Sequence, residues 1–417
     1  MKITNSRFVR KVKWNKLDPF VVDSFKSRLV ATAWDHVRGV DYWKSWAACV
    51  RVDSVKVLLW VAAHYDTGFS KLDIECYYPH GKNTDKTYMK QPPGFVVPGR
   101  EDYVCEVLAS LYGLPQAHFQ AQKELKEALS EGGHKSLKSD PMLFLRVVGD
   151  DFILSAWHND DGGCVYTNVS LMNELQASLE KKFAMKRVDE PADYLGLLVK
   201  RDRALKRVEI TQPESVQKFI EIVGADKLKT ARYPLRPPPV YGSAEYERRA
   251  QPLDKENAKV FQAAAGQAIW LLHTAYDMAF AINKLACGMS RPTVGHQEDA
   301  VWLGRYAKGR VGKGVVLQAT SHPTLTFYVQ SDSSLADLPD VKSSRGYCIK
   351  VGSPDDFGGV IMNEARRGKL VARSTFEAEA DALDAAIKKV KWLRGLLSEL
   401  GQLQKGPTLV QVDNERC

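Results

Sequence analysis

Long hydrophobic runs are missing from this chain. The longest, Val57 to Ala63, spans seven residues, against the roughly 20 that a membrane-spanning helix needs. No membrane partner is expected. Cysteine is sparse. Cys49, Cys76, Cys105, Cys164, Cys287, Cys348 and Cys417 stand far apart, and none forms a CxxC pair. That spacing argues against a zinc cluster or a disulfide framework, and it fits a reducing, intracellular setting, cytoplasmic or nuclear. Internal repeats and long low-complexity tracts are absent. Met1 to Lys16 carries six basic residues and no acid, without the apolar core of a signal peptide.

What remains is a folded composition. The 417 residues are 44% apolar and 26% charged, enough chain for two to four domains with buried cores. Lys and Arg number 59 against 50 Asp and Glu, a net charge of +9, which points toward an anionic partner. Basic residues gather at Lys2–Lys16, Arg305–Lys313 and Arg366–Arg373, with Trp14, Trp34, Trp302 and Tyr306 nearby. Phosphate contacts beside stacking faces are what a protein that tracks a nucleic-acid backbone needs.

Pro234, Pro237, Pro238 and Pro239 open a polar stretch from Tyr233 to Ala250. It reads as an exposed connector, because consecutive prolines remove amide donors and disfavour helix. A softer break lies near Lys308–Ser321. The expected division is therefore 1–233, 234–320 and 321–417. Val55–Ala63 reads as a helix or a buried strand, and Lys71–Tyr78 as a strand. Leu143–Val148 and Phe152–Trp157 read as a hairpin turning at Gly149-Asp150. Leu171, Leu175, Leu179 and Phe183 fall at helical spacing after an N-cap at Thr167 or Asn168. The middle segment reads as helices over Val260–Leu272 and Asp277–Met289. The last begins with strands Thr324–Gln330 and Gly346–Val351. A helix from Phe376 to Leu400 follows, with Leu383, Ile387, Val390 and Leu397 on its packed face.

Two sets of carboxylates could carry chemistry. Asp73 ends or interrupts an apolar strand, and Asp160 and Asp161 adjoin the end of another. Like charges repel at close range, and a divalent metal such as Mg²⁺ or Mn²⁺ relieves that cost through oxygen ligands. A metal pair about 4 Å apart activates a 3′-hydroxyl and stabilises leaving pyrophosphate. An Asp-Asp pair is also common in solvated turns, and Asp150-Asp151, bracketed by strands, reads as one. The second set is Asp332 after a strand, Glu377 and Glu379 at a helix start, and Asp413 after the short strand Thr408–Val412.

The order of these residues resembles the reverse transcriptase and ribonuclease H region of copia-type retrotransposon polyproteins. The likeness runs from about Lys11 to Asn414. Lys26-Ser-Arg28-Leu-Val-Ala31 resembles a fingers motif, and Arg51 follows a stretch like the family's Phe-Ala-Pro-Val-Val. Leu72-Asp73-Ile74 through Gly81, then Gln91-Pro-Pro-Gly-Phe95, resembles the first catalytic motif and its sequel. Ser110-Leu-Tyr-Gly-Leu114 with Gln116-Ala117 matches a highly specific signature. His158-Asn159-Asp160-Asp161 falls where the family has Tyr-Val-Asp-Asp. Tyr194-Leu-Gly196 resembles the segment that grips the primer end. Further on, Ser331-Asp332, Val371-Ala-Arg-Ser-Thr-Phe-Glu-Ala-Glu379 and Val412-Asp413-Asn414 match the nuclease motifs.

The resemblance implies an α+β fold. Polymerase fingers and palm would come first, then a helical thumb and connection, then an incomplete α/β ribonuclease H-like domain. It implies RNA-directed DNA polymerase activity on an RNA template, a DNA primer, an RNA/DNA hybrid and dNTPs. Asp73, Asp160 and Asp161 would hold the polymerase metals, and Asp332, Glu379 and Asp413 the nuclease metals, with Glu377 as a helper. Tyr78 would screen the sugar 2′ position, and Lys26 and Arg28 would meet triphosphate or template. Arg51, Gln116, Tyr194 and Gly196 would complete the substrate contacts.

Several positions depart from the family pattern. His158 and Asn159 replace Tyr and an apolar residue. Gly162-Gly163 replaces an apolar strand and is expected to loosen the hairpin. Tyr77 is bulky where the family has Ala, His118-Phe119 replaces Pro-Arg, and Ala380 replaces Tyr. The chain starts inside the fingers and stops just after Asp413, short of the family's last nuclease elements. Polymerase activity is therefore expected ahead of nuclease activity. The competing expectation is a silent remnant that still binds RNA or a hybrid duplex.

Overall fold

The computed structural model describes residues 2–14, 20–338 and 341–413. Met1, Lys16, Asn414 and Cys417, named above, lie outside the described residues. Backbone contacts divide the chain into two units, one of Met1–Val50 with Phe69–Asp189, the other of Arg51–Gly68 with Glu190 onward. This boundary differs from the divisions at 233 and 320 expected from proline and glycine content.

The first unit centres on a six-stranded sheet. Its order is Met185–Asp189, Gly68–Ile74, Asp161–Tyr166, Asp151–His158, Leu143–Val148, Lys135–Ser136. The hairpin between Leu143–Val148 and Asp151–His158 turns at Gly149, whose φ of 61° suits a residue without Cβ. Helices Ala117–Glu131 and Val169–Glu180 pack on each other, and the second also meets the sheet. They bury Leu125, Leu129, Leu171, Leu175 and Leu179. Asn168 caps the second helix by accepting from Ser170 N at 2.9 Å. A long ribbon pairs Ser6–Trp14 with Val22–Ala31, Lys11 facing Lys26 and Val9 facing Arg28. Strand alternation therefore puts Arg7, Lys11, Lys13, Lys26 and Arg28 on one face.

In the second unit the apolar run lies in a helix, Val52–His64. Every residue from Ser54 to His64 is buried, which explains why the run lacks an amphipathic period. The helix packs against strands Arg207–Thr211, Gly314–Gln318 and Asp356–Arg367, so it groups with residues far away in sequence. Arg201 fastens its C-terminal end, donating to the Thr67 carbonyl at 2.6 Å while paired with Glu190 at 2.7 Å. Mid-helix Lys56 is 1% exposed. Burial lowers its ammonium to about 8, opposed by Asp53 and Cys348.

Helices Pro213–Ile222, Lys255–Leu271, Ala279–Cys287 and Val294–Lys308 share a core of Phe219, Phe261, Ala265, Ile282 and Leu303. The proline-rich connector is pinned rather than free. Arg236 pairs with Glu298 and, at 2.9 Å, with Asp299, and Trp302 Nε1 donates to the Tyr233 carbonyl at 3.0 Å. Glu298 and Asp299 also hold Arg248 and Arg249, a network that composition alone does not reveal.

The C-terminal sheet has the order Asp356–Arg367, Ser344–Ser353, Phe327–Ser334, Val410–Gln411. The first three are antiparallel and the last runs parallel to Phe327–Ser334. Helix Thr375–Glu399 packs on it. Its buried stripe is Ala378, Ala382, Ala386, Val390, Leu393 and Leu397, while Ile387 is exposed. The expected packed face is thus corrected by rotation about the helix axis. Alanines let helix and sheet approach closely, and the larger Ile387 is left outside. No helix among the described residues is long and apolar enough to cross a membrane.

Candidate active sites

The first carboxylate set lies wholly in the first unit. Strand Gly68–Ile74 is hydrogen-bonded to strand Asp161–Tyr166 in the sheet order, and Ile74 N donates to the Asp160 carbonyl at 2.9 Å. That places Asp160 and Asp161 beside the strand that carries Asp73. Asp150 and Asp151 sit at the opposite end of strand Asp151–His158, where Asp151 accepts from Thr167 at 2.8 Å and Asn168 at 2.9 Å. Their role is turn chemistry.

The two-residue turn Asn159-Asp160 joins His158 to Asp161, which face each other in register. Asn159 adopts φ 56°, a left-handed conformation that Asn tolerates better than an apolar β-branched residue. The glycines after the turn do not loosen it. Gly162 faces Trp157 in register, and a Cβ on Gly162 would lie 2.6 Å from the indole. Trp157 is fully buried. The missing side chain is the space the indole occupies, and the strand stays paired through Tyr166.

Charge is concentrated here. Burial raises the Asp161 carboxyl above its ordinary value, Lys71 opposes that, and Asp73 and Asp160 add to it. Lys71 Nζ lies 3.4 Å from Asp161 Oδ1. Lys26 pushes the Lys13 ammonium below its usual range, against attraction from Asp23 and, less strongly, Asp73. Arg28 lies over the Tyr112 ring at 5.3 Å, and Tyr112 meets Tyr78 edge-on at 4.8 Å. Tyr77 turns inward at 2% exposure, its hydroxyl without a hydrogen-bond partner. Gln116 is buried and donates to Asn83 at 3.3 Å.

The second set lies wholly in the second unit. Oxygens of Asp332, Glu379 and Asp413 all fall within 4.8 Å of one another. Among the described residues this is the only trio of His, Cys, Asp or Glu that close, so the first set is more open. Ser333 aims Glu379, donating to its Oε1 through Oγ at 2.9 Å and N at 3.2 Å. Glu379 Oε2 is buried without a partner. Burial raises the Glu379 carboxyl, and Asp332 and Asp413 add to the rise. A divalent cation suits this donor set, because it would satisfy the orphaned oxygen and offset the repulsion. Glu377 instead accepts from Arg373 N at 2.7 Å at the helix start.

Arg51, Tyr194 and Gly196 belong to the second unit. Arg51 stacks over Trp392 at 5.5 Å. Tyr194 is fully buried, and Leu195 and Gly196 form a tight turn with φ 51° and 75°. Sequence reasoning misses Lys71 and Ser333, and it places Tyr112 only as part of the Ser110–Leu114 signature. For Lys71 the available signal was its position two residues before Asp73, which sets both side chains on one face of a strand.

The architecture is a reverse-transcriptase-like mixed α/β fold. A foamy viral protease-reverse transcriptase, solved in complex with an RNA/DNA hybrid, aligns with a TM-score of 0.50 at 12% identity, covering 93% of this chain and 43% of that one. Residues 2–237 match the family model described as reverse transcriptase (RNA-dependent DNA polymerase), and the chain belongs to that family. It is 29% identical over 388 residues to the retrovirus-related Pol polyprotein from transposon TNT 1-94 of Nicotiana tabacum. It is 26% identical over 394 residues to that from transposon RE1 of Arabidopsis thaliana. The matches cover 91% and 94% of this chain but only 28% and 26% of those polyproteins.

Proposed function

We propose that the chain is the RNA-directed DNA polymerase segment of a copia-type Pol polyprotein, with a ribonuclease H-type region at its C-terminal end. The observation that carries the polymerase reading is the placement of Asp160 and Asp161, on a tight turn, beside the strand of Asp73. Those three carboxylates would hold Mg²⁺ or Mn²⁺, which when bound supplies activation of a primer 3′-hydroxyl and stabilisation of leaving pyrophosphate. The chain's own residues orient the substrates. Lys26 and Arg28 offer cations to a triphosphate or template phosphate. The Tyr112 edge props Tyr78 as the group that screens the sugar 2′ position. Gln116 supports the backbone through Asn83, which donates in turn to the Val107 carbonyl at 2.8 Å. Gly196, exposed on its turn, is assigned to the primer end with buried Tyr194 supporting that turn, and Arg51 to a further nucleic-acid contact.

Asp332, Glu379 and Asp413 form the corresponding set for cleavage of RNA in a hybrid. Three antiparallel strands, a helix and a parallel fourth strand support a ribonuclease H-type reading of that region. We assign 1–233 to fingers and palm, 234–320 to thumb and connection, and 321–417 to the nuclease. Template RNA, primer DNA, their hybrid and dNTPs are the partners, in an intracellular setting.

The test is primer extension on an RNA template with Mg²⁺ or Mn²⁺, comparing the parent with Asp160→Asn/Asp161→Asn. Metal-dependent extension by the parent, lost in the double variant, is expected. Absence of extension by the parent would refute the polymerase reading. The Lys71–Asp161 pair favours one second reading, a protein that binds hybrid duplex without synthesis. That reading predicts a steep salt slope in gel shifts and no extension.

A further inference from the structure

The polymerase-type carboxylate set carries its own cation. Lys71 and Asp73 are two residues apart on one strand, so both side chains leave the same face of the sheet. Asp161 opens the neighbouring strand, and its Oδ1 stands 3.4 Å from the Lys71 ammonium, with the two side chains 23% and 20% exposed respectively. That oxygen has no hydrogen-bond partner of its own. The ion pair is therefore its principal polar contact, in a setting where water cannot fully replace it.

The Asp332, Glu379 and Asp413 set is built differently. Its oxygens converge within 4.8 Å, and Glu379 Oε2 is left buried and unpaired. Among the described residues no lysine or arginine is ion-paired to it. One set is open and engaged by an ammonium group, and the other is converged with an oxygen to spare.

We infer that Lys71 is an internal counter-ion standing at Asp161 where a divalent cation would stand, so that metal enters the polymerase-type set only by displacing the lysine. The inference rests on the metal-binding reading of Asp73, Asp160 and Asp161 given above. Displacement has a cost, since a partly buried ammonium must give up its carboxylate before the metal gains it. The chain thus has two classes of divalent site. The converged set fills at low metal concentration. The lysine-engaged set fills at higher concentration.

Manganese binding to the full chain, counted by the loss of the free Mn²⁺ electron paramagnetic resonance signal, separates the possibilities. The parent is expected to show a tight and a weaker class. Glu379→Gln should remove the tight class, and Asp161→Asn the weaker one. Lys71→Gln should tighten the weaker class by about tenfold, the order expected when one cation leaves a partly buried carboxylate, and leave the tight class unchanged. Lys71→Met gives the same comparison if Lys71→Gln does not fold, and Lys71→Arg, which keeps the charge, should bind like the parent. A weaker class that depends on Asp161 but is unchanged or loosened in both Lys71→Gln and Lys71→Met overturns the role of Lys71 and leaves the metal reading standing. If Asp161→Asn removes no Mn²⁺ at all, the metal reading of that set fails, and this inference fails with it.

Discussion

Lys56 should limit the stability of the second unit at neutral pH. Its ammonium lies in the middle of a buried helix at 1% exposure, and burial lowers its pKa from 10.5 to about 8. Below pH 8 the lysine is protonated in both folded and unfolded chains, and the folded chain bears the whole cost of a buried charge. Between pH 8 and 10.5 the folded chain releases its proton first, so stability rises with pH across that window. At 1.36 kcal/mol per pH unit the gap is worth about 3 kcal/mol. Lys56→Met keeps the aliphatic stem and removes the charge. It should stabilise the unit by about 1–3 kcal/mol at pH 7, or raise its melting temperature by roughly 3–10 °C. Asp53 is not stranded, because Lys389 pairs with it at 3.2 Å. Calorimetry at pH 7, 9 and 10 reads the effect, and the gain should shrink toward pH 10. His273, pushed down to about 4 by burial and by Lys56, should titrate higher in the variant. A Lys56→Met protein that melts below the parent at pH 7 would refute the argument. It would mean that the ammonium gains more from Asp53 than burial takes away.

Three other outcomes are expected. Gly162→Ala should destabilise the first unit by about 1–3 kcal/mol through overpacking against the indole; thermal melts check this, and Gly162→Ala/Trp157→Leu should recover part of the loss. Ser333→Ala removes the hydroxyl that aims Glu379 and should weaken Mn²⁺ binding at the C-terminal set by about tenfold, read by titration with the fold verified by circular dichroism. Arg236→Ala releases the proline-rich connector from Glu298 and Asp299 and should cost about 1 kcal/mol; limited proteolysis should then cut between residues 233 and 250 faster than in the parent.

Elements governed by near neighbours were legible in the sequence. The spacing of Leu171, Leu175 and Leu179 and the Asn168 cap describe a helix without tertiary help, and Gly149 marks its own turn. Local signals at strand ends and turns leave each carboxylate equally readable as a solvated acid, and only the order of the two sets along the chain, which resembles the family's, marks them out. What could not be read depends on register between distant strands. Lys71 meets Asp161 only because Gly68–Ile74 lies next to Asp161–Tyr166. Gly162 reads as a weakness in the sequence, and only the register that sets it opposite Trp157 gives it a packing role. The helix Val52–His64 joins the second unit because strands more than 100 residues later cover it, a choice no window around it contains. Helix Thr375–Glu399 was placed correctly but rotated, since hydrophobicity ranks Ile387 above alanine whereas close packing on a sheet ranks them the other way.

The Trp157–Gly162 contact constrains how this hairpin can change over generations. A larger side chain at 162 arriving first collides with the indole. A smaller one at 157 arriving first leaves an empty core position, at a cost of about 3–5 kcal/mol for a loss as large as Trp to Ala. Either intermediate is less stable than both end points, so the two positions form a ratchet. A lineage that has acquired the pair can leave it only by a nearly simultaneous double replacement, or through stabilising changes elsewhere that carry it across. Asp161 is the residue immediately before Gly162, so any such crossing disturbs the packing beside the turn that carries Asp160 and Asp161.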